Sequence, residues 1–108
     1  QALQHKVADM ATAIEQARST ALLAAARVDA EDPVERRRVL SAAKAMAGRS
    51  GRFVGQTAVQ LHGGMGMTDE LKIGHGFKRL MQIETLFGNA DFHLVRYAEA
   101  SGALAAPN

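Results

Sequence analysis

The run Gln60-Leu61-His62-Gly63-Gly64-Met65-Gly66-Met67-Thr68-Asp69-Glu70 holds the residues best suited to chemistry in this chain. Three glycines within four positions interrupt a long helical pattern, and a hydroxyl-plus-acid helix start follows. Glycine has no Cβ, so backbone N–H groups in such a run can come close to a ligand. A break of this kind between two helices can cradle a phosphate or the edge of a cofactor. His62 and His75 flank the run, and lone histidines in such positions usually cap or pack. Among the basic residues, Lys44, Arg49 and Arg52 fall near the glycine-bearing face of the preceding helix, where they could meet an anionic partner or cofactor. Arg52 is the best placed of them. Arg36, Arg37 and Arg38 read as a solvated face, and Met65, Met67 and Met81 as packing.

No metal site is expected. Di-metal helical bundles use a Glu-x-x-His pattern, and no glutamate here has a histidine three positions on. No His-x-x-x-His pair occurs either.

The elements that must position these residues are helices. Leu3, Val7, Met10, Ile14, Ala17, Ala21, Ala24 and Val28 alternate four and three apart, the mark of a helix with a narrow buried seam. Asp32-Pro33-Val34-Glu35 gives an acid N-cap, a proline at the first helical position and a carboxylate three residues after the cap. The second helix carries Leu40, Ala43, Ala47, Ser50, Val54, Ala58 and Leu61 on its expected inner stripe. Gly48, Gly51 and Gly55 share another face; at about 1 kcal/mol each relative to alanine, they indicate close approach of a second helix or, less favoured, of a cofactor. Thr68 caps a third helix with Ile73, Phe77, Leu80 and Glu84 on one face, flanked by Met81 and Ile83. Gly88-Asn89 breaks the pattern, and Asn89 caps a fourth helix through Leu94, Val95, Tyr97 and Ala98. The expected fold is all-α: an antiparallel up-and-down four-helix bundle with helices near residues 2–30, 33–62, 69–86 and 89–103, and a fraying tail.

Composition narrows the function. The 108 residues, 47% of them hydrophobic, suit one domain with a core. The absence of cysteine excludes disulfides and thiolate metal sites and fits a reducing, cytoplasmic setting. The longest apolar run, residues 21–26, is far below the roughly 20 residues needed to cross a bilayer, and no signal peptide is evident. A net charge of +2 with acids and bases interleaved, one tyrosine and no tryptophan disfavours a nucleic-acid surface. Because the helical pattern is already running at Gln1 without a cap, the chain is expected to be a fragment of a longer protein.

The pattern Gln-x-x-Gly-Gly-x-Gly-x-Thr-x-Glu over residues 60–70 resembles the signature of the acyl-CoA dehydrogenase C-terminal helical domain. The likeness extends over almost the whole chain. Residues 1–10 look like the segment that follows the family's Arg-x-x-Phe-Gly motif, Ala43-Lys44-Ala45 and Ala58-Val59-Gln60 lead into the glycine run, and His75-Gly76-Phe77-Lys78-Arg79-Leu80 resembles the next helix. The resemblance implies FAD as cofactor, with Gln60, Leu61, His62, Gly63 and Gly64 lining the flavin of an adjacent subunit. It also implies that Asn89, Ala90 and Asp91 approach the flavin nucleotide and that Gly88 borders the substrate. Many family members carry the catalytic glutamate immediately before the glycine matching Gly88, and here that residue is Phe87. No catalytic residue is therefore expected in this chain, Glu84 one turn earlier being a weak substitute. The Phe87-Gly88-Asn89-Ala90-Asp91 ending is most similar to the small subunits of heteromeric, pimeloyl-CoA dehydrogenase-like enzymes.

These implications give an FAD-dependent oxidoreductase acting on an acyl-CoA substrate in fatty acid metabolism, a homo- or hetero-oligomer (dimer or tetramer), with the isolated fragment inactive. The competing expectation is a non-enzymatic oligomerisation or scaffold bundle whose glycine turn only packs helices.

Overall fold

The computed structural model describes residues 1–64 and 70–102; residues 65–69 and 103–108, and the side chains of residues 70 and 71, lie outside that description. Four helices follow in order: α1 (Ala2–Arg27), α2 (Pro33–Gly64), α3 (Glu70–Thr85) and α4 (Ala90–Ala100). The all-helical class expected from the sequence is present, with no strand among the described residues. The expected cap at Thr68 and the fraying tail fall outside those residues.

Local chemistry sets the helix ends. Asp32 Oδ1 accepts the Val34 N–H at 2.9 Å, as an N-cap should. Glu35 does not close back on that cap; its Oε1 receives Arg27 Nη1 at 2.7 Å and ties the end of α1 to the start of α2. α1 stops at Arg27, earlier than residue 30, and Ala30 N–H turns back onto the Arg27 carbonyl at 3.0 Å. Asn89 caps α4, its Oδ1 accepting the Phe92 N–H at 2.9 Å.

α2, with 32 residues, is about 48 Å long at 1.5 Å per residue and spans most of the molecule's 53 Å length. Among the described residues, the substantial packing is of α1, α3 and α4, each against α2. α1 runs antiparallel to it: Leu3 and Lys6 share a cleft with Gln60 and Leu61, whereas Ser19 and Thr20 lie by Met46. α3 also runs antiparallel, with Phe77 against Gly55 and Glu84 against Gly48. α4 then continues in the same sense, from Ala90 beside Gly48 to Arg96 near Arg36 and Pro33. The fourth helix thus does not make the return pass that an up-and-down bundle requires. The molecule is three rods, the third broken at Phe87-Gly88.

The buried seams are lined by small residues. On α1 the stripe that faces inward is Met10, Ala13, Ala17, Thr20 and Ala24; Met10, Ala17 and Ala24 are as expected, but Ala13 and Thr20 replace Ile14 and Ala21, and Leu3, Val7 and Ile14 lie on an exposed flank. On α2 the buried residues are Ser41, Ala45, Gly48, Ser50, Gly55 and Thr57; Ser50 was on the expected stripe, but Leu40 and Ala47 are exposed. A helix contacted on several sides buries more than one stripe, and small side chains let each neighbour approach closely. α3 turns Ile73, Phe77, Leu80, Met81 and Glu84 inward as expected, whereas Ile83 is exposed. On α4, Leu94, Val95 and Tyr97 face outward, and Ala90 is buried.

The glycine face of α2 is filled from within the chain. A Cβ built on Gly55 would sit 2.7 Å from Phe77 Cδ2, one on Gly48 3.1 Å from Glu84 Cγ, and one on Gly51 3.7 Å from Leu80 Cδ2. The tight helix–helix contact is therefore realised. Gly55→Ala should destabilise the chain by about 1–3 kcal/mol through overpacking, while Gly51→Ala should be neutral or stabilising by up to about 1 kcal/mol because the added methyl meets only ordinary contact. Urea unfolding of the two variants checks this ordering.

Candidate functional site

The corner between α3 and α4 is built around a buried carboxylate. Glu84 is 5% exposed. Its Oε1 accepts the Ala90 N–H at 2.8 Å, and its Oε2 lies 3.7 Å from Arg52 Nη2. Lys44 Nζ reaches across from α2 to donate to the carbonyls of Ile83 (3.3 Å) and Glu84 (2.9 Å), capping the end of α3. Gly48 leaves the room in which the Glu84 side chain and Ala90 meet α2. The result is a small cleft of about 260 Å³ in which Arg49, Arg52, Asn89 and Asp91 converge with Glu84.

This geometry gives Glu84 a structural role. A general base must present an oxygen within about 3 Å of the proton it takes. Here one oxygen is held by a backbone amide of α4 and the other faces a guanidinium. The carboxylate caps one helix from the end of another, and sequence spacing alone does not disclose such a contact.

Phe87 stands beyond this peg in the left-handed region, φ +60°, with 90% of its surface exposed. Its carbonyl is held by His93, whose Nε2–H donates at 2.8 Å, leaving the buried Nδ1 without a partner among the described residues. Gly88, φ +101°, is required by the turn itself, since a Cβ there would lie 2.5 Å from Phe92 Cδ1. Sequence reading placed a break at Gly88-Asn89 but missed both the left-handed Phe87 and His93, because neither residue type signals that conformation.

The second group of expected site residues lies at the far end of α2. Helical structure continues past His62 to Gly64, so Gly63 and Gly64 are helical rather than a break. Gln60 is exposed; Leu61 and His62 are half-buried beside the start of α1, and His62 Nδ1–H donates to the Ala58 carbonyl at 3.0 Å. A Cβ on Gly63 or Gly64 would meet nothing within 4 Å among the described residues, and the same holds for Gly74 and Gly76 on α3. None of these four has a positive φ. Packing among the described residues therefore gives no reason for glycine at these positions, although each helical glycine costs about 1 kcal/mol relative to alanine.

The structure brings Asn89, Ala90 and Asp91 together with Arg49, Arg52 and Glu84, sets Gly88 against Phe92 and His93, and keeps Gln60–Gly64 apart from that cleft. From Gly48 to Gly63 along α2 is about 22 Å at 1.5 Å per residue. One chain thus offers two separate surfaces. Glu84→Ala should destabilise the chain by about 1–3 kcal/mol, by leaving the Ala90 N–H buried without an acceptor. Glu84→Gln, which keeps an acceptor oxygen in place, should cost less than half as much, and thermal melts of the two variants side by side provide the check.

The family model described as acyl-CoA dehydrogenase, C-terminal domain, matches residues 1–102, and the chain belongs to that family. No curated protein matches the chain, and neither does any solved structure.

Proposed function

With membership of the acyl-CoA dehydrogenase family as premise, we propose that this chain is the C-terminal domain of an FAD-dependent enzyme that oxidises an acyl-CoA to the 2,3-enoyl-CoA. The domain contributes flavin contacts and subunit-interface surface. The observation that carries this reading is the open pair Gly63 and Gly64: helical glycines with no steric need among the described residues suit a position where an outside group meets bare backbone. Gln60, Leu61, His62, Gly63 and Gly64 would hold the flavin of an adjacent subunit. Asn89, Ala90 and Asp91 would face the flavin nucleotide at the start of α4, where Arg49 and Arg52 add positive charge, and Gly88 would border the substrate. The two surfaces are about 22 Å apart along α2, a separation that fits contacts with different ends of a long cofactor or with the cofactors of two subunits. When bound, FAD supplies a hydride acceptor for the β-carbon of the thioester.

No residue here takes the α-proton. Phe87 has no ionisable group, and Glu84 is engaged on both oxygens. The base comes from elsewhere in the protein or from a partner chain, as in the small subunits of heteromeric, pimeloyl-CoA dehydrogenase-like enzymes, and the domain alone neither retains FAD tightly nor dehydrogenates acyl-CoA. The exposed flank of Leu3, Val7 and Ile14, which forms an apolar groove with Met10 and Leu61, supports burial against a further helix in a homo- or hetero-oligomer, completing a four-helix bundle in the assembled enzyme. No helix among the described residues is long and apolar enough to cross a membrane, and the reading places the enzyme in the cytoplasm.

Two substitutions in the flavin-loaded protein that carries this domain test the reading. Gly63→Ala with Gly64→Ala should weaken FAD retention at least about tenfold, while raising the melting temperature of the isolated chain because alanine is the better helix former. Glu84→Gln should leave the rate of flavin reduction by acyl-CoA within about twofold (about 0.4 kcal/mol). Undiminished flavin binding in the glycine variant would remove the domain's assigned contact. Collapse of flavin reduction in Glu84→Gln, with FAD still bound, would make Glu84 the base.

A further inference from the structure

The left-handed position that follows a helix usually belongs to glycine, because a Cβ there crowds the neighbouring carbonyl. At the end of α3 it is taken by Phe87, φ +60°, directly before Gly88. Backbone strain of this kind persists only where the surroundings over-determine it, and it gathers at functional sites. In this turn the constraint is His93. Its Nε2–H donates to the Phe87 carbonyl at 2.8 Å and lies 3.1 Å from where a Cβ on Gly88 would stand, so the imidazole spans both residues of the turn. A carbonyl only accepts, so the neutral ring carries its proton on Nε2 and keeps a bare lone pair on Nδ1. That Nδ1 is buried and has no partner among the described residues. An unmet buried polar atom is destabilising, yet the ring is held firmly. It packs edge-on to Phe92 at 5.1 Å, and the Phe92 N–H is in turn fixed by Asn89 Oδ1 at 2.9 Å. A hydrocarbon side chain would fill the same space without burying an unpaired nitrogen. The hydrogen bond to Phe87 is what histidine adds.

The consequence falls on Phe87. A left-handed φ turns the Cα–Cβ bond away from the direction a continuing helix would give it, and the ring stands almost clear of the chain. A large apolar ring held out in water gains nothing inside the molecule. On the reading that Gly88 borders the substrate, we propose that His93 is a positioning residue for the acyl-CoA. By holding the Phe87 carbonyl, it keeps the Phe87 ring and the Gly88 backbone in the one arrangement that the acyl group meets. With Nε2 engaged on Phe87 and Nδ1 buried, His93 presents no nitrogen to the substrate and acts through the turn. The two residues must therefore be coupled. A residue at position 87 that adopts the left-handed conformation unaided makes His93 dispensable.

A double-mutant cycle in the flavin-loaded protein, followed by steady-state kinetics with an acyl-CoA, tests the proposal. His93→Ala should raise KM about tenfold and leave kcat within about twofold, since a misplaced wall weakens ground state and transition state alike. His93→Gln, whose side-chain amide can donate where Nε2 does, should keep KM within about twofold of the parent. In a Phe87→Gly background, His93→Ala should change KM by less than about twofold. A second readout needs no turnover: nitrogen NMR of the histidine rings should show one ring in the Nε2–H form that is lost in His93→Gln. A KM in His93→Ala equal to the parent's, a tenfold rise that persists in the Phe87→Gly background, or a His93 ring protonated on Nδ1 instead would each overturn the proposal. If His93→Ala fails to fold, a KM in His93→Gln raised about tenfold would overturn it equally. A parent protein whose flavin acyl-CoA does not reduce removes the dehydrogenase reading and this role with it. A parent that is reduced, with KM indifferent to His93, removes the role of His93 alone.

Discussion

Three helices share one helix in this structure, and that crowding dictates the rest. With ordinary side chains at the contacts, helix axes stay about 8–10 Å apart, and only small contact residues allow the lower end of that range. α2 meets the demand with Ser41, Ala45, Gly48, Ser50, Gly55 and Thr57, all buried and all small. α1 answers with Ala13, Ala17, Thr20 and Ala24. Among the described residues no large side chain is fully buried, so close backbone approach and the contact of many small groups hold the chain together in place of a conventional core of leucine and phenylalanine. The larger apolar residues of α1, α3 and α4 are left on the flanks, where they can meet something outside the chain.

The α3–α4 corner follows from the same constraint. Since Gly48 admits the Glu84 side chain, a carboxylate from α3 reaches the first amide of α4 and fixes where the second half of the third rod begins. Lys44 fastens the carbonyl end of α3 from the other direction. With both helix ends held, the connecting residues have little freedom: Phe87 takes a left-handed conformation that disfavours a side chain, and Gly88 follows with φ +101°. The turn places an exposed aromatic ring at a groove lined by Arg36, Arg37 and Arg96, apart from the cleft in which Glu84 meets Arg49 and Arg52.

Much of the fold was legible from the residues themselves. Periodicity and caps marked the helices to within a few positions, because Asp32, Pro33 and Asn89 are strong local signals. The glycine triplet on α2 correctly announced a tight contact. What could not be read was direction and rotation. Whether α4 folds back or runs on depends on the carboxylate-to-amide contact between Glu84 and Ala90, which spans a turn and leaves no spacing pattern. The seam of α1 holds at Met10, Ala17 and Ala24 and departs elsewhere because Ile14 and Ala21 look more apolar than Ala13 and Thr20, while the packing selects for small size. Of the site, the resemblance pointed to Gln60–Gly64 and to residues 88–91, and the structure adds the reason to separate them: Gly88 is needed by its own turn, whereas nothing among the described residues requires Gly63 or Gly64.

That contrast is the centre of the account: glycines of one helix serve two ends, Gly48 and Gly55 for packing within the chain and Gly63 and Gly64 for a group outside it. Hydrogen–deuterium exchange of the protein that carries this domain, measured with and without FAD, separates the two uses directly. FAD should slow exchange at the amides of residues 60–64 and leave that of Gly55, packed under Phe77, unchanged. Slowed exchange confined to residues 48–55, with residues 60–64 unaffected, would contradict the account.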